Sequence, residues 1–552
     1  MKKPLPSKSK TVAVRRRSLS PATAIPFVLL SVFALQSLWF IQTQSLTYDE
    51  PAHIIAGIDA WRHGRFEHWN DHPPLGRLWL TLPMSRVDSQ FAWQQLPTGY
   101  RVMGMQPGPE EIALRTRPMN TLLGLALGAT LWFAARQLFS EGAANVALAL
   151  FAFTPSLIAH FSLATTDGIG ALFIFLTAFQ LVRWRHNPNW LQTLLMGLAL
   201  GGLLLAKFYA PPFVLLGLAL MVVLKPAGAS LGPAQWNWKP TLLAMALALI
   251  TLWAGYFFHV SHLKIGDGQV VATFPNRAVK TWATKSNKHV NVIVPAGEFL
   301  EGLREVALSN KHGRPAWFMG RIYPSGGIKA YYPAAIALKW PTILLALLLA
   351  SLLMGLRKTC RAPGDLLVMC AFGLLFLFFA IPSKYDIGER HILPLYPFAL
   401  LIAGALWEHV TAHRTARALL LILLCLNAAD ALRSAPDYLT YFNVLVKPTS
   451  SWRYLTDSNL DWGQGLIALR EYESKHPDET LRLAYFGSLN PALYGVRATP
   501  LAPEDHVTGK VIVGASALSG QILPDPNSYR WLLPYTPTTQ MIDRSIFVYE
   551  IK

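Results

Sequence analysis

Eleven apolar runs punctuate the 552-residue sequence: Ala22–Ile41, Met119–Leu138, Ala143–Ile158, Gly168–Trp184, Trp190–Ala206, Pro212–Leu224, Thr241–Phe258, Thr342–Leu356, Leu366–Ile381, His391–Trp407 and Ala416–Leu432. Several approach the ~20 residues that a helix needs to cross the hydrocarbon core, and the shorter ones need their flanks or a different tilt. The runs predict an all-α polytopic membrane protein with about 11 transmembrane helices. Composition agrees, because 52% of residues are hydrophobic and only 14% are charged, against roughly 25% charged in soluble domains.

Basic residues orient the spans. Lys2, Lys3, Lys8, Lys10, Arg15, Arg16 and Arg17 place the N-terminal tail (1–21) in the cytoplasm. The next inward loops carry Arg136, Arg183 with Arg185, Lys225 with Lys239, Arg357 with Lys358 and Arg361, and Arg414 with Arg417. All obey the positive-inside rule, and an odd span count sends the C-terminus outside. The first apolar run has no small-x-small cleavage site, so it reads as a retained span. The net charge of +18 is spread over membrane loops and outer regions, which suits lipid headgroups or phosphate and not nucleic acid. Cys360, Cys370 and Cys425 fall in spans or an inner loop, which excludes an outer disulfide framework.

Residues 1–432 form the expected membrane domain, with outer loops at 42–118 and 260–341. Residues 433–552 form an expected small α/β extracytoplasmic domain, with strand-like runs Leu481–Phe486, Val511–Gly514 and Ile546–Ile551 and a helical stretch Gly465–Ser474. No internal repeat is evident.

Chemistry concentrates at the outer ends of the spans. Asp49 and Glu50 adjoin the first span, and Ile54, Ile58 and Trp61 then share one face of an amphipathic helix. Asp and Pro51 also suit a plain helix start, so capping is the competing reading. His53 lies in that helix. His72 begins a stiff turn before Pro73 and Pro74. Asp167 follows Thr165 and Thr166 at the outer end of the third span, where an ionisable group is costly to bury; a second helix cap is the alternative. Lys207 ends the fifth span and either meets phosphate or snorkels. Arg390 and His391 precede the tenth span; Arg390 either forks onto phosphate or pairs with Asp386 or Glu389. Neither a nucleotide loop nor zinc-ligand spacing is present.

This order resembles the GT-C membrane glycosyltransferases, in particular the dolichyl-phosphate-mannose-protein mannosyltransferase and aminoarabinose lipid A transferase group. The resemblance rests on Tyr48-Asp49-Glu50 with His53, His72-Pro73-Pro74-Leu75, Thr166-Asp167, and Arg390-His391-Ile392-Leu393-Pro394. It implies transfer of a sugar, mannose or a related hexose or pentose, from a polyprenyl-phosphate carrier to a protein, lipid or glycan acceptor. It places the chain in a bacterial inner membrane with its active site on the periplasmic face. It gives Asp49 a role near the acceptor hydroxyl and Asp167 one in donor or metal binding. Some members use a divalent cation and protein mannosyltransferases do not, which leaves the metal open, with Asp49 and Asp167 as the ligands to consider. Thr456-Asp457-Ser458-Asn459-Leu460-Asp461-Trp462-Gly463-Gln464 resembles a segment of bacterial relatives and otherwise reads as a surface turn before a helix cap.

The expected chemistry is a single inverting displacement at the anomeric carbon. Asp49 would be the general base, Glu50 would orient it or raise its pKa, and Lys207, Arg390 and His391 would face the leaving phosphate. A transporter of lipid or sugar is the alternative; it calls for charges deep within spans.

Overall fold

A computed structural model describes residues 21–66, 70–95, 101–224, 238–266, 269–272, 290–356 and 360–552. The basic tail up to residue 20, together with Lys225, Arg357 and Lys358, lies outside the described residues.

The protein is a helical, multi-pass membrane protein. Seven described helices are long and apolar enough to cross a membrane: Ala24–Thr43, Pro109–Leu138, Asp167–His186, Trp238–Gly255, Pro363–Ala380, Glu389–Val410 and Arg414–Arg433. The pair Tyr331–Lys339 and Thr342–Met354 passes only together and is bent by 109°. Glu141–Ala152, Trp190–Ala206 and Pro211–Val223 are shorter apolar helices. Each of the eleven runs therefore becomes helix, but length and composition alone support seven or eight as full spans. The second helix begins at Pro109, ten residues before its apolar run. Glu110, Glu111, Arg115 and Arg117 disguise this first part in the sequence.

The segment joining the first two membrane helices, the first outer segment of the expected topology, folds into helices Glu50–His63 and Pro74–Thr81 and an antiparallel hairpin pairing Gln90–Gln95 with Arg101–Gln106. Ile54 and Ile58 share a face, as their spacing predicts, but that face is buried in a protein core and not laid into the headgroup region expected of an interfacial helix. Trp61 is partly exposed and donates its indole N–H to the Leu78 carbonyl. The second outer segment holds the helix Gly297–His312 and the hairpin of Ala316–Phe318 with Arg321–Tyr323.

The tail is α/β, as expected. Its five strands lie in the order Thr539–Ile542, Ile546–Ile551, Gly509–Gly514, Leu481–Ala484, Thr499–Pro500, with the helix Leu466–Lys475 alongside. It is not an appendage. Leu46, Ile54, Ile58, Leu80 and Met103 from the first outer segment share one apolar core with Leu466, Leu469, Leu483, Ile512 and Val548 of the tail. Backbone bonds stitch the same seam: Ser45 N–H donates to the Gln464 carbonyl (2.9 Å), Tyr48 N–H to the Trp462 carbonyl (2.9 Å) and Met103 N–H to the Ser488 carbonyl (2.7 Å).

One buried ion pair holds the start of the first outer segment. Arg117 Nε donates to Glu50 Oε1 at 2.8 Å, and its terminal nitrogens reach Glu50 Oε2 (2.8 Å) and the carbonyls of Gln44 (2.6 Å) and Ser45 (2.7 Å). Both side chains are fully buried. Glu50 also accepts from the backbone N–H groups of Thr47 and Ala164, at 2.6 Å each. Removing one member of such a pair strands the other charge, at a cost of about 3–5 kcal/mol. Arg117→Leu is therefore expected to lower the thermal unfolding midpoint of the purified protein markedly. The double variant Arg117→Leu/Glu50→Gln should recover part of the loss.

Candidate functional site

Asp49 occupies the N-cap position of Glu50–His63, but its carboxylate makes no capping bond. The helix start is tied instead by Glu50, whose carboxylate returns to Thr47 N–H and Oγ1 (3.0 Å) in the manner of a capping box. Asp49 is thereby released for another partner. Its Oδ2 lies 2.9 Å from Arg390, and the same guanidinium stands 3.5 Å from Asp167 Oδ2. Asp167 Oδ1 accepts from Lys207 Nζ at 2.7 Å, and Lys207 also donates to Thr166 Oγ1 at 3.0 Å. The four charged side chains thus alternate in sign: Asp49, Arg390, Asp167, Lys207.

Local sequence explains the placement. Asp167 starts the helix Asp167–His186, where the free N–H groups favour a carboxylate. Thr166 offers that helix no side-chain cap; it accepts from Lys207. Lys207 sits at the end of Trp190–Ala206 in extended backbone and is buried, so its ammonium turns inward to Asp167 and does not snorkel. Arg390 does not pair with its neighbours. Glu389 accepts from Ser156 Oγ (2.9 Å) and Tyr396, and Asp386 from Ile328 N–H (2.7 Å).

The segment 456–464, expected at the surface, is buried throughout. Its turn-forming composition serves to thread a polar strand of chain behind Arg390. Ser458 Oγ accepts from Arg390 Nε at 3.1 Å and donates to the Ile387 carbonyl at 2.8 Å. The indole of Trp462 lies under the guanidinium, 4.2 Å from ring centre to Cζ, a cation–π contact that loses less to hydration when buried. Asn459 Oδ1 accepts from Glu389 N–H at 2.9 Å, and its carbonyl accepts from Lys339 Nζ at 2.7 Å. Gly388 makes room for this approach, because a Cβ there would stand 1.9 Å from Ser458 Oγ.

A cavity of about 1380 Å³ opens onto these groups. Asp49, His72, Lys207, Arg390, His391 and Asp457 line its polar part, and Phe208, Tyr209, Phe213, Phe376 and Phe379 line an apolar wall. His391 lines the cavity, and among the described residues its buried Nε2 has no hydrogen-bond partner. The expected residues Asp49, His72, Asp167, Lys207, Arg390 and His391 are brought together here. Two are not. Glu50 faces Arg117 and Ala164, away from the cavity, and His53 lies behind His72, with ring centres 5.1 Å apart. Glu50 lines no part of the cavity and is not among the charges acting on Asp49, which counts against its raising that pKa; it bears on the orientation of Asp49 only through the backbone that it ties. The charges acting on Asp49 are those of Arg390, Asp167 and Asp71, and enclosure in the cavity wall raises its carboxyl above the usual range despite Arg390.

Burial together with the cations around them depresses both histidines of this corner, holding His53 and His72 neutral at pH 7. Sequence reading missed Arg77, which pairs with Asp71 at 2.6 Å and reaches His53 Nδ1 at 3.4 Å. It also missed Arg117, although an arginine at the head of a membrane helix demands a carboxylate. Arg390 stands between Asp49 and Asp167, and Lys207 holds the other oxygen of Asp167. Among the described residues no group of three His, Cys, Asp or Glu side chains is arranged for metal binding.

Residues 113–255 match the family model described as dolichyl-phosphate-mannose-protein mannosyltransferase. The resemblance read from the motifs is borne out over that stretch. No curated protein matches by sequence. Among solved structures, ArnT from Cupriavidus metallidurans in the apo state aligns over 96% of this chain and 98% of its own at 12% identity, with a TM-score of 0.47. The same protein bound to undecaprenyl phosphate aligns over 95% and 97% at 12% identity, with a TM-score of 0.46. The S. cerevisiae protein O-mannosyltransferase Pmt1-Pmt2 complex bound to the sugar donor aligns over 74% and 89% at 11% identity, also with a TM-score of 0.46.

Burial pushes Asp457 and Asp461 up to about 7 each. The folded state then holds their protons more tightly than the unfolded chain, where a carboxyl titrates near ~4. Stability from these groups is full below about pH 4 and is lost as pH rises through about 7. The depressed histidines act in the opposite sense below about pH 6.5, so the readout is a difference: between about pH 5 and 8 the unfolding midpoint of the parent should fall relative to that of Asp457→Asn.

Proposed function

We propose that this chain is an integral membrane glycosyltransferase that moves a sugar, mannose or a related hexose or pentose, from a polyprenyl-phosphate carrier to an acceptor hydroxyl with inversion. The observation that carries this reading is one cavity joining an aromatic wall, buried cations and an ionisable carboxylate. An isoprenoid tail suits the wall, and a phosphate suits Lys207, Arg390 and His391. The family-model match over residues 113–255 supports the same class of donor.

In the reaction, the acceptor oxygen bonds to the anomeric carbon as the bond from that carbon to the phosphate oxygen breaks. The acceptor proton passes to Asp49. Protonated Asp49 no longer holds Arg390 by charge, so the guanidinium turns to the leaving polyprenyl phosphate at the moment it gains charge. Asp167 stays ionised and keeps Lys207 and Arg390 aligned. Glu50 acts at a distance by fixing the backbone of Thr47–Asp49. The acceptor is a protein, lipid or glycan, met on the periplasmic face of a bacterial inner membrane, an orientation that rests on the positive-inside pattern.

Purified protein supplied with sugar-loaded undecaprenyl phosphates and an envelope extract should form a glycosylated product detectable by mass spectrometry. Asp49→Asn should lower transfer by about 10²–10⁴-fold, the usual worth of a general base. Because it also removes a charge partner of Arg390, its unfolding midpoint should fall, and transfer is compared at a temperature where the variant is folded. Full transfer by folded Asp49→Asn removes Asp49 from this role. Carrier or sugar flux across proteoliposomes without any glycoside favours a transporter.

The rate should also fall on the acid side as Asp49 takes a proton, with the limb above the ordinary carboxylate range because enclosure raises that group. Initial rates between pH 4 and 8 read this directly.

A further inference from the structure

Asp457 is left without work by the mechanism above. It lines the same cavity as Asp49, Arg390 and His391, yet it comes from the tail. Its backbone is left-handed, with φ +57°, a region that costs most residues roughly 1–2 kcal/mol and that Asp and Asn tolerate best. The surrounding contacts impose this shape. Asp457 N–H donates to Ser516 Oγ (2.9 Å), and Ser516 in turn holds Asp461 through its N–H (2.8 Å) and its hydroxyl (2.6 Å). Thr456 Oγ1 donates to Gln521 Oε1 at 2.9 Å, and Gln521 Nε2 donates to the Pro315 carbonyl at 3.0 Å.

The carboxylate is held but not saturated. Oδ1 accepts from Ser458 N–H at 2.6 Å and Oδ2 from Gln521 Nε2 at 3.3 Å. Each oxygen has a second lone pair, and no ion pair to Asp457 is present among the described residues. Arg390 is near enough for its charge to act on the group, but its contacts go to Asp49, Asp167 and Ser458. When ionised, this carboxyl repels a phosphate, and in either protonation state its spare lone pairs accept from hydroxyl donors. The wall beside it is aromatic: Tyr485 and Phe486 line the cavity with Tyr48, whose ring stacks on Phe486 at 5.1 Å and 21°. Carboxylate acceptors beside aromatic rings match the hydroxyls and the apolar faces of a sugar ring.

We propose that Asp457 is the carboxylate that recognises hydroxyl groups of the sugar being transferred, supplied to the site by the tail. This assignment rests on the donor reading above. It divides the cavity by charge: Lys207, Arg390 and His391 take the phosphate, and Asp457 takes the sugar on the far side of the anomeric carbon. The tail is then part of the donor site, and the identity of the sugar is read partly by residues outside the membrane helices.

Binding of undecaprenyl phosphate and of undecaprenyl-phosphate mannose, glucose and arabinose to the full-length protein in nanodiscs, measured by native mass spectrometry, tests this. In the parent, at least one sugar-bearing carrier should bind more tightly than the bare carrier. Asp457→Asn, which suits the same backbone, and Asp457→Ala should bind the bare carrier within about twofold of the parent. They should lose about tenfold or more of the affinity that the sugar adds, the worth of a charged hydrogen bond. Ser458→Ala, which strips a partner from Arg390, should weaken both carriers alike. Equal loss of both carriers in the Asp457 variants means an effect through Arg390 and overturns the assignment. So does an unchanged gain from the sugar, including the case where only the response to acceptor changes. A parent that binds neither carrier overturns the donor reading itself, and that failure shows before any substitution is made.

Discussion

Arg390 is the group on which the site depends. A guanidinium out of water is costly unless its donors and its charge are answered, and here they are answered from three parts of the chain. Asp49 comes from the first outer segment, Asp167 from the head of a buried span, and Ser458 and Trp462 from the tail. Ordering one side chain therefore orders three regions far apart in sequence. The same arrangement leaves Lys207 on the other oxygen of Asp167, so the four charges of the cluster balance.

The second constraint is the division of labour between the adjacent carboxylates. Glu50 spends its oxygens on Arg117, Thr47 and Ala164. That fixes the path of the backbone, and Asp49 is then presented to the cavity with no capping duty. One carboxylate is structural because it is fully enclosed with a matched partner. The other is available because its partner, Arg390, has competing attachments.

Much of this was legible in the sequence. Each apolar run became helix, seven or eight of them long and apolar enough to span among the described residues, and ionisable residues at their ends named Asp49, Asp167, Lys207, Arg390 and His391. What the sequence concealed was depth and long-range pairing. Thr456–Gln464 has the composition of an exposed turn, and nothing in that composition tells a solvated turn from one that carries its own buried hydrogen bonds. Glu50 and Asp49 look equivalent as neighbours; only the distant Arg117 separates their roles. Arg117 sat in a polar stretch that hid the start of its helix, and Arg77 in an apolar run only eight residues long, bounded by prolines, too short to stand out.

A cryo-EM map of the protein in nanodiscs with undecaprenyl phosphate tests the central claim most directly. The account predicts phosphate density against Lys207, Arg390 and His391, with the isoprenoid tail along Phe208, Tyr209, Phe213 and Phe376. Phosphate density elsewhere, with Arg390 still closed between Asp49 and Asp167 and the cavity empty of carrier, would contradict it.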